Sequence, residues 1–203
     1  MARLPDNPDV LIMGHPLLFK SQRQVTIDEI HSEEFQHNLE VMKQSQFDSI
    51  GIGLAAPQIG WEVRVMSIGI SKENHARYPK APYIPFCYWI NPQVIEVSKE
   101  TNWTWEGCLS VPGVRAWIER PAAITLAGYD EHGQRKEESF EGFPARVMQH
   151  ELDHLNGYLF PMRVDDKSLI IPHEAILHQE QWAENWPTES ARNTERGQLS
   201  ANR

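Results

Sequence analysis

The strongest chemical signal in this 203-residue sequence is His150-Glu151-Leu152-Asp153-His154. On a helix, residues four apart lie on one face, so both imidazoles can reach one metal ion. Glu151, next to the first imidazole, can serve as general base to a metal-bound water. The bland alternative is a solvated helix carrying these residues by chance, because so short a pattern recurs at random. The flanks favour the metal. Pro144 suits a first turn and Gly157 a position just past the last one. Met148, Leu152 and Leu155 recur at i, i+4 and i+7, the stripe of a buried helix.

Two histidines do not complete a catalytic metal site, which takes three protein ligands and leaves a fourth position for water. A third histidine six residues after the second would fit one protease pattern, but that position is Phe160. A downstream glutamate would fit another, and Glu174 is available. It lies beside Pro172 among acidic residues and reads better as a solvated face. The third candidate is Cys108, in Glu106-Gly107-Cys108-Leu109-Ser110. A thiolate is a strong ligand for a soft or borderline metal and suits ferrous iron as well as zinc. Gly107 lets backbone approach closely.

Taken with Gly51-Ile52-Gly53-Leu54-Ala55-Ala56-Pro57-Gln58, these segments are similar to the three signature motifs of the peptide deformylase family, in that family's order. The resemblance covers roughly residues 8–165. It implies hydrolysis of the N-formyl group from the initiator methionine of new proteins, with release of formate. It implies Cys108, His150 and His154 as metal ligands and Glu151 as the catalytic acid/base. Gln58 and the backbone N–H of Leu109 are implied as oxyanion donors. Ile52, Gly53 and Gly107 are implied as backbone that pairs with the substrate as an added strand. Arg115, Phe143 and Val147 are implied around the methionine side chain, and Glu106 with Arg120 as a pair holding the Cys108 loop. The resemblance also implies one divalent ion per chain, Fe²⁺ expected, with Zn²⁺, Ni²⁺ or Co²⁺ able to take its place. The partners it implies are formyl-methionyl nascent peptides and a transient ribosome contact. One departure is visible: Pro144 and Arg146 open the histidine helix where many bacterial members are apolar.

The elements that carry these motifs point to an α+β fold. It has antiparallel sheets packed around a buried C-terminal metal-ligand helix, with a further helix near the N-terminus. Thr26 and Glu29 have capping-box spacing, and Phe35, Leu39 and Met42 continue the period, which predicts a helix over about 26–48. Residues 51–58 read as a shaped loop. Strands are expected at 61–70, 84–90, 93–98, 114–119, 123–129 and 134–140. Their clustering, without regular βα alternation, favours antiparallel pairing. The metal-ligand helix is expected over 142–157, and another helix over 165–182, interrupted by Pro172. The expected organisation is a catalytic domain over 1–165, a helical extension over 166–183 and a polar, disordered tail over 184–203.

Composition excludes other classes. Net charge is −9, with 19 basic against 28 acidic residues, so a duplex nucleic-acid binder, which needs a basic face, is not expected. No apolar run approaches the ~18 residues of a membrane span. The first residues lack the apolar stretch of a secretory leader, so the expected location is the cytoplasm. Two cysteines in such a chain read as reduced thiols, with Cys87 a small buried hydrophobe. Trp103 and Trp105 read as core or as the border of a substrate groove.

Overall fold

The structure is a computed structural model that describes residues 2–72, 74 and 81–188. It is α+β with antiparallel sheets, as the strand clustering predicts. In chain order the elements are α1 (Ile27–Ile30), α2 (Glu33–Asp48), β1 (Gly53–Ala55), β2 (Val65–Ile70), β3 (Ile84–Val97), β4 (Thr101–Cys108), β5 (Val111–Pro121), β6 (Ala123–Tyr129), β7 (Arg135–Glu141), α3 (Gly142–Leu155) and β8 (Ile170–Pro172). Short 3₁₀ turns fill several connections. One sheet has the order β1-β2-β3-β6-β7 and the other β4-β5-β8. All these ladders are antiparallel.

Alternation along the strands explains the layering. In β2 and β3, Val65, Tyr88 and Ile90 pack with Phe35, Leu39 and Met42 of α2. Met66, Ile68 and Trp89 face the other way, onto Ala145, Met148, Leu152 and Leu155 of α3. Around β2 the five-stranded sheet is thus covered on both faces, and β2 is buried along its whole length, while β7 and the second half of β3 are largely exposed. The opposite side of α3 faces β4 and β5, so the histidine helix lies between the two sheets. Its C-terminus closes in a Schellman turn: Gly157 N–H donates to His154 O and Tyr158 N–H to Asp153 O. Gly157 holds φ +80° there.

Several expectations change. The 26–48 helix is two helices, because Ser32 breaks the run and caps the second by accepting from Phe35 N–H. The 61–70 strand begins only at Val65. The stretches 84–90 and 93–98 are one strand, passed through a bulge where Asn91 takes φ +50° and bonds Val25 N–H and O. The 51–58 loop contains β1 and a 3₁₀ turn, Ala56–Ile59. β4, which carries the Cys108 motif, was not expected as a strand. Residues 165–182 are not one interrupted helix. They form a 3₁₀ turn, then β8 ending at Pro172, then the 3₁₀ segment His173–Gln181. β8 pairs with β5, and sheet pairing wins there over helical periodicity. Of the expected tail, residues 189–203 lie outside the described residues. At its start Trp186 packs on Trp182 and Trp105. Trp105 is core and Trp103 is exposed. Cys87 is half-buried with a free thiol.

A Cβ at Gly157 would stand 2.8 Å from the Phe19 carbonyl, and its φ disfavours L side chains. Gly157→Ala is expected to cost more than about 1 kcal/mol in denaturant unfolding.

Candidate metal centre

α3 presents His150 and His154 toward β4, and Glu151 toward Gly53 of β1. The end of β4 brings up Cys108. The Cys108 Sγ and one nitrogen from each of His150 and His154 all lie within 4.8 Å of one another, and Sγ is 3.2 Å from His154 Nε2. Cys108 and His154 are buried and His150 is half-buried. A tetrahedral ion with bonds of about 2.0–2.3 Å needs donors roughly 3.4–3.7 Å apart. One sulfur and two imidazole nitrogens within 4.8 Å of one another therefore fit a divalent transition metal in donor type and spacing. Glu174, the rival third ligand, is exposed on the His173–Gln181 segment and outside the cluster. Phe160, where the other protease pattern needs histidine, stacks on the His150 ring.

The groups around the cluster set its protonation. Burial opposes ionisation of Cys108, but His154 and His150 outweigh it and hold the thiol well below its usual range, which favours the thiolate a metal would bind. His150 Nδ1 is 2.9 Å from Glu106 Oε2, which leaves its Nε2 toward the cluster. Burial would neutralise Glu106, yet the Arg120 guanidinium and His150 hold its carboxyl well below the ordinary value. Arg120 grips both Glu106 oxygens, at 2.6 and 2.9 Å. Glu151 goes the other way: burial pushes its pKa up to about 7, against the pull of His150 and His154. A carboxyl poised near neutrality can both take and give a proton. Its Oε2 is buried and bonded to no described group. A Cβ at Gly53 would lie 2.5 Å from Glu151 Oε1, so only glycine lets β1 come this close.

Gln58 is buried in the 3₁₀ turn after β1. Its Oε1 accepts the Ala55 N–H at 2.8 Å, which turns its NH₂ toward Ser110 Oγ (3.1 Å) and Cys108 Sγ (3.6 Å). The amide is therefore fixed as a donor beside the cluster. Leu109 sits between Cys108 and Ser110 at the tip joining β4 to β5. An N-terminal stretch laces these parts together: Leu11 N–H donates to Gln58 O and Met13 N–H to Ser110 O, both at 2.7 Å.

The structure brings Ile52, Phe143 and Val147 into one apolar cluster on the α3 side of the large sheet. Arg115 comes from β5. Its guanidinium lies over Gly107, and its Nε donates to His173 Nδ1 at 3.1 Å. Sequence reasoning missed Ser110, Asp153 and the role of Arg146. Asp153 bridges Arg120 (2.9 Å) and Arg163 (Nε 3.1 Å). Arg146 donates to Glu106 Oε1 at 2.6 Å. The available signal was helical spacing, since Arg146 precedes His150 by one turn and Asp153 follows it by three residues.

Comparison with known proteins agrees with this geometry. The profile described as polypeptide deformylase matches residues 8–169. Peptide deformylase 1 of Nitrosomonas europaea is 41% identical over 157 residues, 77% of this chain and 87% of the relative. Peptide deformylase of Leptospira biflexa is 36% identical over 167 residues, 82% of this chain and 93% of the relative. A crystal structure of class I type b peptide deformylase from Acinetobacter baumannii, bound to Met-Ala-Ser, superposes with a TM-score of 0.72 at 34% identity. It covers 80% of this chain and 99% of its own.

Cys108→Ala is expected to weaken zinc binding by more than about 100-fold, the upper end of the cost of losing a merely supporting residue. Glu174→Ala should leave it unchanged. Competition with a chromogenic chelator measures both.

Proposed function

The chain belongs to the polypeptide deformylase family, and from that premise we infer how its own residues remove the N-formyl group from the formyl-methionine of newly made proteins, releasing formate. The observation that carries the reading is the cluster of one sulfur and two imidazoles beside the buried carboxyl of Glu151, whose Oε2 is bonded to no described group. Cys108, His150 and His154 are the metal ligands. Bound there, a divalent ion supplies Lewis acidity, lowering the pKa of a water and polarising the formyl carbonyl. We assign Fe²⁺ as the native ion; its thiolate ligand suits a reducing cytoplasm, where we place the enzyme. Zn²⁺, Ni²⁺ or Co²⁺ can take its place.

Glu151 receives the proton of the attacking water on its unpartnered oxygen. It then delivers that proton to the amine, which could not leave as an anion. As attack proceeds, negative charge grows on the formyl oxygen. The Gln58 NH₂, aimed by Ala55, and the Leu109 N–H donate to it. Gln58 is neutral, so it stabilises the oxyanion without trapping the nucleophile. The peptide adds as a strand along Ile52–Gly53 and Gly107. Its methionine side chain lies against Phe143 and Val147, which pack with Ile52. Arg115, resting on Gly107, lines the same pocket from the β5 side. The substrates emerge from the ribosome, and contact there is transient.

Formate release from a formyl-Met peptide by anaerobically metallated protein tests the reading. Glu151→Ala is expected to lower kcat/KM by about 10²–10⁴. Gln58→Ala is expected to lower kcat by about 10²–10³ with the metal retained. No formate from metal-loaded wild type would overturn the assignment.

A further inference from the structure

We propose that Arg146 is a positioning residue for the metal centre: it fixes the Glu106 carboxylate so that Oε2 meets His150 Nδ1 and His150 Nε2 faces Cys108 and His154. The proposal rests on the metal-site reading above. Arg146 is 4% exposed and lies on α3 one turn before His150. Its NH1 donates to Glu106 Oε1 (2.6 Å) and Ile118 O (3.2 Å). Its NH2 donates to Asn102 O (2.7 Å) and Asn102 Oδ1 (2.6 Å).

The argument is one of acceptor sites. A carboxylate offers about four. At Glu106, Arg120 takes one on each oxygen, through Nε on Oε1 and NH2 on Oε2. Arg146 takes the second site on Oε1 and His150 the second on Oε2. With Arg146 present, only Oε2 is open to His150. Without it, Oε1 has an unfilled site in a dry interior, and the carboxylate can rock about a single guanidinium. That guanidinium is also shared, because Arg120 NH1 bonds Asp153. Arg146 thus supplies the second positive charge at Glu106 and selects the oxygen that orients the imidazole. The same side chain also staples α3 to β4 and β5 through Asn102 and Ile118, so a purely structural role must be separated from positioning.

The test uses full-length Arg146→Met, Arg146→Lys and Asn102→Ala beside wild type. The readouts are zinc affinity by chelator competition, the His150 Nδ1–H resonance in zinc-loaded protein with ¹⁵N-labelled histidine, thermal unfolding and steady-state kinetics. Arg146→Met is expected to weaken zinc binding by about tenfold to a hundredfold, broaden the His150 Nδ1–H resonance away, and lower kcat with KM unchanged. Arg146→Lys returns a cation to Oε1 and should restore most of the affinity and the resonance. Asn102→Ala loosens only the staple and should lower the melting temperature while zinc affinity and resonance stay as in wild type. Arg146→Gln replaces Arg146→Met if the latter does not fold, with the same expectations. Neutral variants that bind zinc as tightly as wild type and keep the resonance overturn the proposal. So does a lysine variant that fares no better than the neutral one. A wild-type chain that binds no zinc overturns the metal-site reading, and this inference with it.

Discussion

The centre depends on keeping one carboxylate charged in a dry place. Glu106 is buried, and an isolated carboxylate there would take up a proton. Two guanidinia and an imidazole meet it instead, and the bonds that keep it ionised also aim His150. Asp153 extends the arrangement by holding Arg120 from the other side. Removing any one partner leaves the others with uncompensated charge, so the group acts as a unit.

Enclosure of α3 between two sheets follows from the same need. One side of the helix is apolar and seals against the large sheet through Met148, Leu152 and Leu155. The other side is chemical and meets β4. A surface helix could bring two histidines together, but water would screen their neighbours. Burial is what sets Glu151 near neutrality, while Glu106, between guanidinia, and Cys108, beside two imidazoles, are pulled the other way. Carboxyls only a few residues apart in space receive opposite environments because one faces guanidinia and the other does not.

What the sequence made legible is local. The histidine helix is written in spacings of three and four residues, with Pro144 in its first turn and Gly157 just past its end. The fold class follows from the clustering of strands. Boundaries failed where one residue's side chain overrode the periodicity. Ser32 splits a continuous apolar stripe by capping, and Asn91-Pro92 looks like a chain break yet is crossed by a bulged strand. β8 is legible only to its partner β5, because three residues carry too little pattern of their own. In the site, Cys108 came from its motif and not from spacing, since the cysteine and the histidines are more than forty residues apart. Arg146 and Asp153 look like ordinary helix-surface charges in sequence. Their partners lie on other elements, and beyond their spacing from His150 nothing local declares that these charges are buried.

The bonds from Leu11 to Gln58 and from Met13 to Ser110 tie the first stretch of chain to both loops that flank the sulfur. Those loops belong to different sheets, and the tether spans the seam between them. Trimming or tagging the polypeptide ahead of Pro16 therefore acts on the spacing of Gln58 and Ser110, although Cys108, His150 and His154 all lie outside that stretch. The stretch around Leu11 and Met13 is a tie-rod of the centre.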